Sequence, residues 1–281
     1  MNTSEFTTLI QPSDLELLLG DDAVRLVDCR FSLGDVEAGQ RAYAEAHIPG
    51  AVYAHLDRDL SGTVIPGKTG RHPLPEIGDL AGYLGSVGID SDVAVVAYDD
   101  SGGAFAARLW WLLKWMGHDK AAVLDGGWSR WRDEGRATVS GKATYAARTF
   151  TPNVKSDIVA DAHEVARVIR EGGVSLIDAR SSERYAGAVE PIDPVAGHIP
   201  GAVNCPYAVS LSGDGRFLRG DELRRVLAPY VSDESVVYCG SGVTAAHLVL
   251  ASVHAGLPMP RLYPGSWSEW ITDPERPVER G

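Results

Sequence analysis

The chain has 281 residues, which is enough for about two domains with buried cores. Its formal net charge is −12 and it has no basic tract that could follow a phosphate backbone, so a nucleic-acid partner is disfavoured. No apolar run approaches the roughly 18 residues of a membrane span, and the N-terminus lacks the features of a signal peptide. We therefore expect a cytoplasmic protein without membrane contact.

The first half of the chain alternates helical and extended patterns. Helices are predicted at 13–19, 77–87 and 105–115, and strands at 24–27, 51–53, 93–98 and 121–124. This alternation predicts an α/β fold with a mostly parallel sheet and helices on both faces. Ligands of such sheets bind beyond the carboxyl ends of the strands. Residues 135–156 carry few periodic apolar positions and are predicted to connect two domains.

An internal repeat divides the chain into two halves. The residues Leu-Val-Asp-Cys-Arg at 26–30 recur as Leu-Ile-Asp-Ala-Arg at 176–180, and His-Ile-Pro-Gly-Ala at 47–51 recurs at 198–202. The pair Tyr98-Asp99 matches Tyr238-Cys239, and about ten extra residues lie before it in the first half. We predict an N-terminal domain at 1–140, a linker at 141–157 and a C-terminal domain at 158–281.

Cys239 opens the run Cys-Gly-Ser-Gly-Val-Thr, between an apolar strand pattern and a helical one. The N–H groups of such a turn and the positive end of the helix stabilise an anion, so we expect a thiolate. Gly240 and Gly242 allow the backbone to curl around the sulfur, and Ser241 and Thr244 add hydroxyl groups. These features favour a reactive thiol over the common alternative of a small buried hydrophobe.

The other two cysteines, Cys29 and Cys205, complete an odd set without metal-ligand spacing. This usage fits a reducing compartment and predicts neither a disulfide framework nor a metal site. His47 and His198 occupy the same turn in both halves, so we expect structural hydrogen bonds from them rather than metal binding. Helical spacing and repetition likewise predict packing roles for the seven tryptophans: Trp110, Trp111, Trp115, Trp128, Trp131, Trp267 and Trp270.

Residues 62–69 satisfy the phosphate-loop pattern G-x-x-x-x-G-K-[ST]. That motif binds phosphate only when a helix follows it, so that N–H groups at the helix end face the phosphates. Pro73 and Pro75 follow closely and exclude such a helix. We therefore expect a surface loop of the first half, belonging to its extra residues, rather than a nucleotide site.

From about Pro12 to Val278, the repeat, both His-Ile-Pro-Gly-Ala turns, the Cys239 loop and a late Gly-Ser-Trp resemble the two-domain rhodaneses. This family comprises thiosulfate and 3-mercaptopyruvate sulfurtransferases. The resemblance implies two tandem rhodanese-like domains, of which the C-terminal one is catalytic and the N-terminal one, with Asp99 at the cysteine position, is degenerate.

The resemblance also implies a chemistry. A Cys239 persulfide would carry sulfane sulfur from thiosulfate or 3-mercaptopyruvate to a thiophilic acceptor such as cyanide, a thiol or a thioredoxin-like reductant. No cofactor is required, and a monomer is expected. The loop amides of Gly240, Gly242, Val243 and Thr244 would stabilise the thiolate and the persulfide.

Further site residues follow from the resemblance. In the mercaptopyruvate type a loop serine, a histidine and an aspartate assist catalysis, and the matching positions are Ser241, His72 and Asp57. Arg184 matches the arginine that grips the donor anion. A second arginine is usual in a Glu-Pro-Arg motif, but here Ile192 follows Glu-Pro.

The sequence leaves the choice between the two sulfur donors open. Thiosulfate enzymes tend to carry two basic residues after the cysteine, so Gly240 and Ser241 favour 3-mercaptopyruvate, whereas Ile192 leaves thiosulfate open.

Two other classes of protein use a comparable cysteine. Cysteine phosphatases and arsenate reductases need an arginine six positions after the cysteine, and that position is Ala245. A sulfur carrier or regulatory module that docks a protein partner is harder to exclude, since it would carry the same persulfide on Cys239 without turnover on small acceptors.

Overall fold

The computed structural model describes residues 7–281 and divides into two compact units. The first unit contains the chain up to Gly62, then Pro75–Lys155 and Gly213–Arg216. The second contains Thr63–Leu74, Ser156–Ser212 and Phe217–Gly281. A segment from the first half of the sequence therefore belongs to the second unit.

The first unit is built on a five-stranded sheet. Its strands are β1 (Leu9–Ile10), β2 (Val24–Asp28), β3 (Val52–Tyr53), β4 (Ala94–Tyr98) and β5 (Ala121–Leu124). Its helices are α1 (Pro12–Glu16), α2 (Ala38–Glu45), α3 (Ile77–Ser86), α4 (Ala106–Trp115) and α5 (Gly127–Asp133). The strand order is β1-β5-β4-β2-β3, and every pairing is parallel.

The second unit repeats this plan with one strand fewer. Its strands are β6 (Leu176–Asp178), β7 (Val203–Asn204), β8 (Val236–Tyr238) and β9 (Arg261–Leu262), in the order β7-β6-β8-β9, all parallel. Its helices are α6 (Ala162–Glu171), α7 (Ser182–Tyr185), α8 (Gly220–Leu227), α9 (Thr244–His254) and α10 (Ser266–Trp270). Short 3-10 turns form at Ser156–Ile158 and Tyr207–Ser210.

These sheets confirm the predicted parallel α/β fold. Strands β4 and β8 are continuous apolar runs because both faces of a parallel sheet are covered, and every residue in them is buried. Strand β2 is buried throughout as well, although it includes Arg25 and Asp28. Packing against the sheets also accounts for the tryptophans, all seven of which are buried, as expected from their spacing.

A buried ion pair marks the same strand end in both units. Arg30 donates through Nη2 to Asp28 Oδ2 at 2.6 Å, and Arg180 does the same to Asp178 at 2.6 Å. Each guanidinium then lies over a tryptophan ring. The Asp-x-Arg repeat therefore supports matching turns at the carboxyl ends of β2 and β6.

The two repeated histidines make the structural hydrogen bonds that their position predicts. His47 Nδ1 lies 2.7 Å from the carbonyl oxygen of Tyr43, and His198 Nδ1 lies 2.8 Å from that of Tyr185. The imidazole of His47 also stacks on the ring of Tyr43, and the imidazole of His198 stacks on the ring of Tyr185.

The predicted elements of the first half are present, with ends that shift by at most three residues. The helix predicted at 13–19 is α1 and ends at Glu16, and the strand predicted at 51–53 is β3. Helices α2 and α5 were not predicted. The only buried residues of α2 are Gly39 and Tyr43, too few for an apolar stripe, and α5 starts at a glycine.

The segment that resembles a phosphate loop forms a tight turn instead. The N–H groups of Lys68 and Thr69 both donate to the carbonyl oxygen of Ile65, at 3.0 and 3.1 Å. The next helix is α3, which begins only at Ile77. The expectation of a loop without a following helix is therefore confirmed, but Thr63–Leu74 groups with the second unit rather than with the first half.

None of the helices formed by residues 7–281 combines the length and apolar character that crossing a membrane requires.

Candidate active site

Cys239 follows β8 directly and precedes α9, so the predicted strand-to-helix turn is present. Its side chain is a free thiol, 2% exposed. Its backbone is held on both sides by the start of α10, because the Trp267 N–H donates to the Cys239 carbonyl at 3.0 Å and the Cys239 N–H donates to Ser266 Oγ at 3.1 Å. The sulfur therefore stands on a rigid part of the second unit.

Ser266 is a supporting residue that the sequence analysis missed. Among residues 7–281 it is the only non-glycine residue with a positive φ, at 55°. Its hydroxyl accepts from Cys239 and donates to the Tyr263 carbonyl at 2.9 Å. The sequence held a signal for it, because Gly126-Gly127-Trp128 of the first half matches Gly265-Ser266-Trp267, and the φ of Gly127 is 56°. A serine in this left-handed position is strained and pins the backbone of Cys239.

The loop after Cys239 turns tightly at Gly242, where φ is +77°. A Cβ there would lie 2.5 Å from the Pro264 carbonyl oxygen, so only glycine fits. Within the part of the chain that the structure describes, the backbone N–H groups of Gly240, Ser241, Val243 and Thr244 have no hydrogen-bond acceptor. Because no acceptor among residues 7–281 uses them, these donors are available to an anion.

His72 and Ser241 are brought together although 169 positions separate them. His72 Nδ1 lies 2.7 Å from Ser241 Oγ, and both residues are buried. Ser241 is the second residue after Cys239. A histidine-serine pair in the loop that carries a thiol can hold or move a proton in that loop.

Arg184 lies beside the same loop, near Gly240. A Cβ on Gly240 would lie 3.4 Å from Arg184 Nη1. The guanidinium is held by Glu190, through Nη2 at 2.8 Å, and by Asp193, through Nη2 at 3.1 Å. Glu190 and Asp193 are only 3% and 4% exposed at their side chains, so these ion pairs are interior ones.

The pKa values of the two carboxylates shift in opposite directions. Burial raises the pKa of Asp193 above its usual value, although Arg71 and Arg184 oppose the shift. Burial also acts on Glu190, but hydrogen bonds from Arg184 and from the backbone N–H groups of Asp193 and Ile192 outweigh it and lower the pKa of Glu190. Ile192 therefore lies in the turn that orients Glu190, rather than supplying a cation.

A second arginine, Arg71, lies near Gly240 as Arg184 does, and it was not among the predicted site residues. Its Nη1 donates to Asp193 Oδ1, and its Nη2 would lie 2.8 Å from a Cβ on Gly240. The repeat could not indicate it, because Arg71 lies in the extra residues of the first half.

Asp57 lies in the first unit, in the turn after β3, and is exposed. Its backbone N–H donates to His55 Nδ1 at 3.1 Å. The other predicted site residues all belong to the second unit. The catalytic role of Asp57 stays a prediction of the family resemblance.

The position that matches Cys239 in the first unit shows what such a loop can bind. The carboxylate of Asp99 accepts four backbone N–H hydrogen bonds, each 2.8 Å long. The donors are the residues that lead into α4: Ser101, Gly103, Phe105 and Ala106. In this unit the anion is built into the chain, and the carboxylate cannot act as a sulfur nucleophile.

The remaining thiols are poorly suited to reaction. Burial raises the pKa of Cys205 to about 12, and burial together with Asp28 and Asp99 raises the pKa of Cys29 well above its ordinary value. Both therefore stay protonated at neutral pH.

Comparison with known proteins agrees with this architecture. The rhodanese-like domain family matches twice, at residues 11–134 and 161–273. A protein of Pseudomonas aeruginosa named "probable 3-mercaptopyruvate sulfurtransferase" is 46% identical over 278 residues, covering 97% of this chain and 98% of that protein. A protein of Mycobacterium tuberculosis named as a candidate thiosulfate sulfurtransferase is 42% identical over 270 residues, covering 94% of each.

A solved structure shares the fold over nearly the whole chain. The 3-mercaptopyruvate sulfurtransferase from Leishmania major matches with a TM-score of 0.82 and 33% identity, covering 94% of this chain and 74% of that one. Two family matches and full-length relatives of this identity confirm the resemblance inferred from the repeat and the Cys239 loop. The chain belongs to the rhodanese family and is a two-domain sulfurtransferase.

Proposed function

We propose that this enzyme transfers sulfur through a persulfide on Cys239, with 3-mercaptopyruvate as the preferred donor and thiosulfate as the alternative. The observation that carries the proposal is the Cys239 loop itself. It presents a thiol at the start of α9, four backbone N–H groups without protein acceptors, and a His72-Ser241 hydrogen bond of 2.7 Å.

The first step forms the persulfide. The Cys239 thiolate attacks the thiol sulfur of 3-mercaptopyruvate, an S–S bond forms, and the C–S bond breaks with its electron pair going to carbon. The leaving group is the enolate of pyruvate, and it takes up one proton, equivalent to the one that the donor thiol carried. Pyruvate departs and Cys239 keeps a persulfide anion.

The loop amides support this step electrostatically. The outer sulfur of the persulfide carries the negative charge, and the four loop N–H groups without an acceptor among residues 7–281 can stabilise it. The Asp99 carboxylate gives a precedent within the same chain, because a loop at the matching place binds an anion through four N–H groups. The helix start at Thr244 adds a favourable dipole.

The His72-Ser241 pair favours 3-mercaptopyruvate over thiosulfate. Pyruvate enolate is a strong base that must be protonated as it leaves, and a buried histidine-serine pair beside the sulfur can deliver that proton. Sulfite leaves thiosulfate as a stable anion and needs no proton. The names of the two bacterial relatives support both donors, so the proton requirement decides our preference.

The second step returns the thiolate. A thiophilic acceptor attacks the outer sulfur: cyanide leaves as thiocyanate, and a thioredoxin-like dithiol is oxidised to a disulfide while sulfide is released. We further propose that the enzyme is cytoplasmic and monomeric, in keeping with its three free thiols. A sulfur carrier that discharges only to one protein partner is the alternative.

The test is the intact mass of the desalted protein after brief exposure to each donor, with Cys239→Ser as the matched variant. We expect a gain of one sulfur atom that is absent from the variant and is lost again, with turnover, on addition of cyanide or a thiol. A stable persulfide that small acceptors do not discharge would favour the carrier. No gain with either donor would refute the proposal.

A further inference from the structure

Two guanidinium groups converge on the residue that follows the nucleophile. A Cβ placed on Gly240 would lie 2.8 Å from Arg71 Nη2 and 3.4 Å from Arg184 Nη1. Both arginines belong to the second unit, although Arg71 comes from the extra segment of the first half. The absence of a side chain at Gly240 is what lets both cations approach the Cys239 loop.

A shared buried carboxylate holds the two arginines side by side. Asp193 accepts from Arg71 Nη1 with one oxygen and from Arg184 Nη2 with the other, the latter at 3.1 Å. Glu190 accepts from Arg184 Nε and Nη2. These ion pairs use neither Arg71 Nη2 nor Arg184 Nη1, which are the nitrogens nearest Gly240.

One further atom of Arg71 lacks a protein partner. Its Nε is buried and has no hydrogen-bond partner within residues 7–281. A buried guanidinium N–H without an acceptor is unfavourable unless a ligand completes it. Arg71 therefore offers both Nε–H and Nη2–H to a group that is not part of the protein.

The backbone around Arg71 is tied to the catalytic loop. Its N–H donates to Ser268 Oγ at 3.0 Å, and the Ser268 N–H donates to the Gly240 carbonyl at 2.9 Å. The preceding Gly70 permits this approach, since a Cβ there would lie 2.6 Å from the Gly265 carbonyl oxygen. Arg71 is thus pre-positioned rather than a mobile surface side chain.

We propose that Arg71 binds the donor carboxylate together with Arg184 and so takes the place of the arginine that the family motif would put at Ile192. Two guanidinium groups can each donate to one carboxylate oxygen, which suits a 2-oxo acid thiol and leaves its sulfur free to face Cys239. This inference rests on the proposed function. It assigns donor recognition to a residue of the extra segment that carries His72 as well.

The test compares two donors that differ only in the carboxylate. Mercaptoacetone keeps the thiol and the ketone of 3-mercaptopyruvate but has a methyl group in place of the carboxylate. For Arg71→Gln we expect kcat/KM for 3-mercaptopyruvate to fall about 10- to 100-fold, mainly through KM, and kcat/KM for mercaptoacetone to change less than about threefold. Arg71→Lys, which keeps the charge without the planar fork, is expected to lie between.

Arg167→Gln is the matched control, because Arg167 lies on α6 of the same unit and pairs, among residues 7–281, with Glu164 alone. It should leave both donors unchanged. Since Arg71→Gln removes one partner of Asp193, the same comparison is repeated with Asp193→Asn added, and the ratio between the donors cancels any general loss of folded enzyme.

Equal losses with both donors, or no loss with 3-mercaptopyruvate, would overturn the role of Arg71. If the wild type does not use mercaptoacetone, an Arg71→Gln enzyme with unchanged KM for 3-mercaptopyruvate would overturn it as well. These outcomes are distinct from failure of the proposed function, in which the wild type itself gains no sulfur from either donor.

Discussion

The hydrogen bond between His72 and Ser241 allows a donor-specific prediction. Replacing Ser241 with alanine removes the Oγ that lies 2.7 Å from His72 Nδ1, while the thiol and the loop amides stay in place. Proton delivery by a positioned side chain contributes about 10²- to 10⁴-fold to a rate. This corresponds to about 3–5 kcal/mol of barrier.

That contribution applies only where a proton is needed. With 3-mercaptopyruvate, the enolate leaving group must be protonated, so we expect Ser241→Ala to slow persulfide formation at least about 100-fold. With thiosulfate, sulfite leaves without a proton, and the expected change is less than about fivefold. The effect on stability should be near 1 kcal/mol, the net value of one hydrogen bond.

The assay is single-turnover persulfide formation, followed by intact mass after rapid quenching, with pyruvate and sulfite measured in the same samples. Ser252→Ala serves as the control, because Ser252 is a buried serine of the same unit whose hydroxyl donates to the Leu248 carbonyl within α9. Similar losses with both donors would refute the proton-delivery reasoning and leave Ser241 with a structural role.

Three further predictions concern the loops and the buried thiols. Asp99→Ala leaves two fully buried N–H donors and two partly buried ones without an acceptor. The free energy of unfolding, measured by urea denaturation, should fall by about 2–6 kcal/mol, with Asp99→Asn intermediate. An unchanged midpoint would contradict this account. The folded-state pKa values of Cys29 and Cys205 lie above the unfolded value of about 9.0, so the unfolded chain loses each proton first as the pH rises. Above pH 9, each of these thiols should therefore lower the free energy of unfolding by about 1.4 kcal/mol per pH unit. Replacing either by alanine should flatten this alkaline decline without abolishing sulfur transfer. Iodoacetamide should leave both unlabelled at pH 8 in the native protein, as read by peptide mass, and labelling of Cys29 or Cys205 there would contradict burial as the cause. Gly242→Ala places a Cβ 2.5 Å from the Pro264 carbonyl oxygen at a φ of +77°. We therefore expect about 2–5 kcal/mol of destabilisation and at least a tenfold slower persulfide formation. A wild-type rate would show that the loop tolerates displacement.

Strand β4 was predictable because a covered parallel strand is apolar throughout, and all five of its residues are apolar and buried. Helix α2 was not, because it buries only Gly39 and Tyr43 and therefore lacks an apolar stripe. The loop at 62–69 was predictable because Pro73 and Pro75 exclude a helix directly after it, and the next helix begins only at Ile77.

The sequence by itself determined the duplicated plan, the parallel α/β class, the position of Cys239 between a strand and a helix, and the substitution by Asp99 in the first half. These properties depend on residue types within short windows or on repetition of such windows. Periodicity and turn chemistry are local, so no knowledge of distant contacts is needed to recognise them.

Only the tertiary structure decided which side chains meet around the Cys239 loop. Arg71 lies 197 positions from Ser268, whose hydroxyl holds its backbone, and His72 lies 169 positions from Ser241. The bridging role of Asp193 likewise depends on Arg71, which lies 122 positions away, although Arg184 is only nine positions away. Such contacts arise because packing brings remote segments to one edge of a sheet, and the sequence of each segment alone carries no record of its partner.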